Sequence, residues 1–393
     1  MKIALVCPAS LPAIQFGGIL HLTVNMAKEF SKMGHDVTIF TTDLDAANDL
    51  RTFNKKLLRE EKINGFNINR THCWFSIYLF YINPEMYWQL LNYRPDIIHS
   101  IGLRSFQSLI ATLVAKKKKI SLVISDQGGL LTHPEIKEGK IIRRILYKLQ
   151  IPLIKFIIDH ARRITVGNEY EKEMFSKFNV DSKISIVRNG IDLEELKTSS
   201  ENFRQNFNLN DRYILFVGRF AKSKGIDILL NAMNLIKNNI SISNVKLVIM
   251  GVDDGFETEM KKIIEEFHLQ DKVMIIRKPK REDVIAAYKD CEFIVLPSRW
   301  ELSPLVPLEG FFFKKPIVAT NVHGNPFTIK HRENGILVEP ENYQQFANAI
   351  LELLIDDKKR MEYGLSGYEF VKNVCNSAEM AKNTLKIYNE IAH

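Results

Sequence analysis

Glu301 and Glu309 stand eight positions apart in the run Pro297-Ser298-Arg299-Trp300-Glu301-Leu302-Ser303-Pro304-Leu305-Val306-Pro307-Leu308-Glu309, directly after the apolar strand candidate Phe293–Leu296. Ionised carboxylates are rarely buried without a partner, so a Pro-rich loop with one at each end, leading into a helix start, is poor core material. The spacing suits a bound group with hydroxyls at its two ends and phosphates between them, faced by the helix's first N–H groups. A nucleotide sugar has that layout. Solvated loop and cap carboxylates are the plain alternative, and the surrounding residues weigh against it.

Two cations flank a strand-to-helix turn in Phe216-Val217-Gly218-Arg219-Phe220-Ala221-Lys222-Ser223-Lys224-Gly225. Arg219 and Lys224 are well placed there to hold a diphosphate beside a helix's positive end. Near the N-terminus, Gly17-Gly18 follows the first strand and lets backbone approach a ligand closely. That pair does not match the dinucleotide fingerprint, and a plain tight turn explains it equally well.

The elements that must carry these residues alternate. Ile3–Val6, Val37–Thr41, Ile97–Ser100, Leu122–Ser125 and Ile164–Val166 are short β-rich runs separated by amphipathic stretches such as His21–Met33, with Leu22, Met26 and Phe30 on one face. Tyr213–Val217, Lys246–Met250, Val273–Ile276, Phe293–Leu296 and Ile317–Ala319 form a second series. Such alternation predicts an α/β protein with two Rossmann-like, doubly wound parallel sheets facing across a cleft. The expected divisions are 1–190, 191–375, and a C-terminal helix in 376–393 that crosses back to the first domain.

Length and charge agree with this plan. A chain of 393 residues exceeds one ordinary core and fits two domains. Residues 1–190 carry 27 basic and 17 acidic groups, an excess of +10, whereas residues 191–393 carry 27 and 29, a balance of −2. The asymmetry points to an anionic partner at the N-terminal half, or to simple solvation of a basic domain. Cys7, Cys73, Cys291 and Cys375 show no CxxC spacing, so neither zinc nor a disulfide framework is expected and a reducing cytoplasm fits. Met1-Lys2 runs straight into a strand, not a signal peptide, and no segment reaches the roughly 18 apolar residues of a spanning helix.

Taken together, Gly17-Gly18, Arg188-Asn189-Gly190-Ile191-Asp192, Gly218-Arg219 with Lys224-Gly225, Gly251-Val252-Asp253-Asp254-Gly255, and Leu296-Pro297-Ser298 before the glutamate pair resemble family 4 glycosyltransferases of GT-B fold, in order and over nearly the whole chain. The resemblance implies a retaining, metal-independent, nucleotide-sugar-dependent enzyme without a cofactor. It places Arg219 and Lys224 on the diphosphate, Glu309 on the ribose hydroxyls, Glu301 on the transferred sugar, and Leu305, Val306, Gly17 and Gly18 around the donor. Fixed cations at the phosphates would stabilise the departing diphosphate as the sugar gains oxocarbenium character.

One departure concerns the end of the fourth strand. Where many relatives have histidine, this chain has Gln127 in Ser125-Asp126-Gln127-Gly128-Gly129, with His133 six residues later. An amide is no general base, but it can hydrogen-bond sugar or diphosphate, and the leaving phosphate can serve as base in a front-face reaction. His133 reads as a catalytic substitute or a solvated loop residue. Asp43-Leu44-Asp45 imitates a metal-binding pattern of another fold; it reads as the start of a polar helix, and no metal is expected.

Lys137–Arg163 combines eight basic residues with apolar residues at helical spacing. It fits a helix on an anionic membrane surface, or a helix buried in the first domain's core. Lys116–Lys119 and the aromatic run Trp74–Tyr81 favour the surface, or line an acceptor pocket. The sequence therefore predicts hexose transfer from a nucleotide sugar to a lipid-linked or saccharide acceptor, in the cytoplasm or on the membrane's inner face. A phosphorylase or sugar-nucleotide epimerase, or a basic nucleic-acid-binding protein, is the alternative. No nucleic-acid recognition module is visible.

Overall fold

The computed structural model describes residues 1–46, 51–77, 80–130, 132, 141–198, 202–240 and 243–392. The chain divides into two compact units, Met1–Ile191 with Ser377–His393, and Asp192–Asn376.

The first unit holds strands β1 (Lys2–Val6), β2 (Asp36–Thr42), β3 (Glu60–Ile63), β4 (Phe66–Thr71), β5 (Phe75–Ile77), β6 (Phe80–Ile82), β7 (Ile97–Ile101), β8 (Ser121–Ser125), β9 (Arg163–Val166) and β10 (Ile184–Ile186). Eight of them form one sheet in the order β10-β9-β8-β7-β1-β2-β4-β3, and β5 pairs with β6. Every pair in the large sheet is parallel except β3 with β4. The interior strands are continuous apolar runs, as a sheet covered on both faces requires; Ile3, Ala4, Leu5 and Val6 are fully buried. The antiparallel edge strand β3 is Glu-Glu-Lys-Ile, whose charges discourage pairing with another chain.

Helix Gly18–Lys32 buries Leu22, Met26 and Phe30. Helix Ser377–Ile391 packs beside it, where the Phe30 and Tyr388 rings lie 5.6 Å apart and Ser377 Oγ donates to Glu29 Oε1 at 3.2 Å. Residues 43–46 are not helical, contrary to the expectation for Asp43–Asp45; Leu44 instead forms an isolated antiparallel bridge with Phe53. Asp43 is buried because it has local partners, the Cys73 N–H at 3.0 Å and His72 Nδ1 at 2.6 Å.

The second unit is a single parallel sheet of β11 (Arg212–Val217), β12 (Val245–Gly251), β13 (Val273–Arg277), β14 (Ile294–Leu296), β15 (Ile317–Thr320) and β16 (Gly335–Val338). Their order is β13-β12-β11-β14-β15-β16, so the winding reverses between β11 and β14. Phe216, Leu247, Ile249, Phe293 and Val295 are fully buried in its core. In such sheets the crevice at the reversal, beyond the strands' carboxyl ends, is where ligands sit.

Candidate functional site

Arg219 and Lys224 follow β11, and Glu301 follows β14, so both carboxyl ends at the reversal carry residues singled out in the sequence. Gly225 sets how closely the two loops approach. Its φ is +67°, and a Cβ there would lie 2.0 Å from the Pro297 carbonyl oxygen, so only glycine fits without backbone movement. Arg299 fastens the same loops, its guanidinium forking onto Asp227 at 2.7 and 2.8 Å while its N–H donates to the Ser223 carbonyl at 2.8 Å.

Lys224 Nζ donates to Glu301 Oε1 at 2.6 Å, and Ser298 Oγ donates to the same oxygen at 2.8 Å. Glu301 is 6 % exposed, and its Oε2 has no protein partner among the described residues. Burial lowers the pKa of the neighbouring His323, with the Glu301 charge opposing it. Arg219 is half-exposed and pairs with Asp254 at 2.7 Å. Exposed pairs of this kind hold weakly, typically below about 1 kcal/mol, so Arg219 can exchange Asp254 for another anion.

Glu309 lies in the second turn of helix Leu305–Phe312 and is 8 % exposed. Both its oxygens accept from Arg281, at 2.7 and 3.0 Å, and Arg281 Nε donates to Glu195 at 2.9 Å. Burial opposes the Arg281 charge, and the two carboxylates overcome it and hold the guanidinium firmly protonated. A carboxylate oxygen accepts more than one hydrogen bond, so the Arg281 clamp does not by itself exhaust the accepting capacity of Glu309. Leu305 and Val306 open the helix, where N–H groups lack intrahelical acceptors. Sequence reasoning missed Arg281 and Ser298. The serine adjoins the motif, but nothing local links Arg281 to Glu309.

The remaining predicted residues lie in the first unit. Gly17, with φ +96°, precedes helix Gly18–Lys32 at the carboxyl end of β1, and space above its Cα is open to 4 Å. Gln127 follows β8 with φ +24° and exchanges long amide hydrogen bonds with Asn189, at 3.3 and 3.4 Å. It lines a small cavity, with about 20 Å³ open to the centre of a water molecule, together with His99, Ser125, Thr165 and Asn189. His99 is buried between Tyr388 Oη at 2.6 Å and Ser125 Oγ at 2.7 Å, and burial lowers its pKa to about 3. This chain of polar groups was not anticipated. Burial raises the pKa of Asp126, with Arg104 and backbone N–H groups opposing. His133 and residues 137–140 of the basic stretch lie outside the described residues.

Among the described residues, no group of three or more His, Cys, Asp or Glu could hold a metal ion, and no helix is long and apolar enough to cross a membrane. The four cysteines are buried and unbridged.

Comparison with known proteins agrees with this architecture. The family described as Glycosyltransferase Family 4 matches residues 16–195, and Glycosyl transferases group 1 matches residues 198–370. An uncharacterized glycosyltransferase of Methanocaldococcus jannaschii is 26 % identical over 99 % of this chain and 98 % of its own. Sucrose-phosphate synthase from Thermosynechococcus elongatus superposes with a TM-score of 0.75 at 20 % identity, covering 99 % of both chains. Anabaena HepE in complex with UDP and glucose does so with 0.77 at 16 %, again over 99 % of both. With two family matches in register with its two units, and the GT-B fold throughout, the chain belongs to the family 4 glycosyltransferases.

Proposed function

We propose that this glycosyltransferase moves a hexose from a nucleotide sugar to a lipid-linked or saccharide acceptor with retention at the anomeric carbon, and without a metal. The observation that carries the reading is the arrangement at the β11/β14 reversal: Arg219 and Lys224 beside a helix start, with Glu301 within the loop after β14 and Glu309 not at that loop's end, as the sequence suggested, but in the second turn of the helix that follows it. Arg219, Lys224 and the Leu305 and Val306 N–H groups receive the diphosphate, Glu309 the ribose, and Glu301 Oε2 a sugar hydroxyl. The bond from the anomeric carbon to the diphosphate oxygen breaks, the acceptor oxygen bonds on the same face, and its proton passes to the leaving phosphate. Gly17 and Gly18 lend backbone to the donor, and Gln127 a hydrogen bond. The HepE complex with UDP and glucose supports the donor class.

The basic stretch Lys137–Arg163 supports docking on an anionic membrane surface, which would bring the enzyme to a lipid-linked acceptor on the inner face. A panel of nucleotide sugars, read by hydrolysis and thermal stabilisation, tests the donor assignment. Absence of any stabilisation by nucleoside diphosphates or their sugars would overturn it.

A further inference from the structure

Three segments of the second unit, far apart in sequence, meet at Arg281. It opens helix Arg281–Asp290, and its guanidinium is shared between Glu309 in helix Leu305–Phe312 and Glu195 in helix Leu193–Lys197. Helices Arg281–Asp290 and Leu193–Lys197 each pack against Leu305–Phe312. Glu195 is placed in turn by Asp192, the last residue of Arg188-Asn189-Gly190-Ile191-Asp192. The Asp192 carboxylate caps helix Leu193–Lys197, accepting from the Glu194 and Glu195 N–H groups at 3.0 and 3.3 Å.

Arg281 stands against a local rule. The first residue of a helix lies at the positive end of its dipole, where carboxylates are favoured and cations are not. Glu282 and Asp283, in the same first turn, follow that rule. The Arg281 side chain is nevertheless only 22 % exposed, held by carboxylates that are 34 % exposed at Glu195 and 11 % at Glu309. Departures of this kind collect at functional sites. The grip on Glu309 is also the strong kind, two parallel N–H bonds from one guanidinium onto the two oxygens of one carboxylate, which fix its plane as well as its place.

We infer that Arg281 is a positioning residue for ribose recognition: it sets the plane of the Glu309 carboxylate, while Glu195, seated by the Asp192 cap, sets Arg281. The inference rests on the ribose role given to Glu309 above. Arg281 itself touches no part of the donor; its whole effect passes through Glu309. A lysine at this position keeps the charge but loses the fork, so it holds the carboxylate without fixing its plane.

The diphosphates of uridine, guanosine, adenosine and cytidine are titrated against the natural protein by calorimetry. The one bound most tightly is then compared with its 2′-deoxy and 3′-deoxy forms and with pyrophosphate, which has no ribose. The natural protein should bind at least one deoxy form about tenfold more weakly, the loss of one hydrogen bond to a charged group. Arg281→Gln should lose that discrimination and bind pyrophosphate as before, and Arg281→Lys should recover part of it. In a Glu309→Ala background, adding Arg281→Gln should weaken diphosphate binding no further. Full discrimination in Arg281→Gln, or losses that add in the double variant, overturns the inference. So does weakened pyrophosphate binding in folded Arg281→Gln, which would put the guanidinium on the phosphates. Glu195→Ala, at the most exposed of the three side chains, decides the question if Arg281→Gln does not fold: reduced discrimination supports the inference and unchanged discrimination overturns it. A natural protein that binds ribose and both deoxy forms equally refutes the ribose role of Glu309 itself, so the two failures are distinguishable.

Discussion

Lys224 and Glu301 are bonded to each other, Nζ to Oε1 at 2.6 Å, with side chains 20 and 8 % exposed. The cation proposed for the diphosphate and the carboxylate proposed for the sugar thus form one largely buried unit. Ligand arriving at this site meets a pair already joined and oriented, and reorganisation at the moment of reaction is small.

The two glutamates should separate in their effects. Glu309→Ala is expected to weaken binding of nucleoside diphosphate itself, because the ribose belongs to that fragment. Glu301→Gln should leave it unchanged and lower the turnover number, since Gln still accepts from Lys224 and Ser298. Calorimetry with the diphosphate and kinetics with the sugar nucleotide check this pair, and equal loss of affinity in both variants would refute the division of roles.

Arg219→Ala should weaken nucleoside-diphosphate binding by about 1.5–3 kcal/mol, the range for a charge-assisted hydrogen bond. Asp254→Asn should leave affinity intact or raise it, because Asp254 competes for Arg219 at 2.7 Å. Titration of both variants decides the matter; an unchanged Arg219→Ala removes this residue from the site.

Transfer is expected to continue in the presence of a chelator, with cationic side chains and a helix start neutralising the diphosphate. Activity lost in EDTA and restored by Mg²⁺ or Mn²⁺ would contradict this.

Acid should destabilise the first unit through His99. Its folded pKa, near 3, lies below the ordinary 6.5, so the unfolded chain binds the proton more readily. The stability conferred is complete above about pH 6.5 and is lost as pH falls toward 3. Between pH 6.5 and 5 this amounts to roughly 2 kcal/mol. Denaturant unfolding of the natural protein and His99→Gln at both pH values should show a smaller acid loss in the variant; identical losses would acquit His99.

Legibility in the sequence follows burial. All ten strands read from apolar runs are present, because parallel strands covered on both faces are written in consecutive Ile, Leu and Val. β4 was missed since Asn67 and Asn69 interrupt its pattern, β3 because an edge strand is written in charges, and β10 and β16 because three or four edge residues give little signal. Within the site, short-range motifs such as Arg219–Lys224 were readable. The Arg281 clamp on Glu309 and the bond between His99 and Tyr388, 289 positions apart, join distant segments and leave no local trace.

The Ser377 N–H donates to the Ile191 carbonyl at 2.9 Å, so the chain leaves the first unit and rejoins it at a single point. In gene terms the second unit is a cassette spliced into a host. Its excision, with Ile191 joined to Ser377 by a short glycine-serine bridge, keeps every strand and helix of the host in sequence, and the cassette can be exchanged as one uninterrupted reading-frame segment. Ile191 and Ser377, far apart along the message and hydrogen-bonded in space, are therefore the two ends at which such an exchange is made.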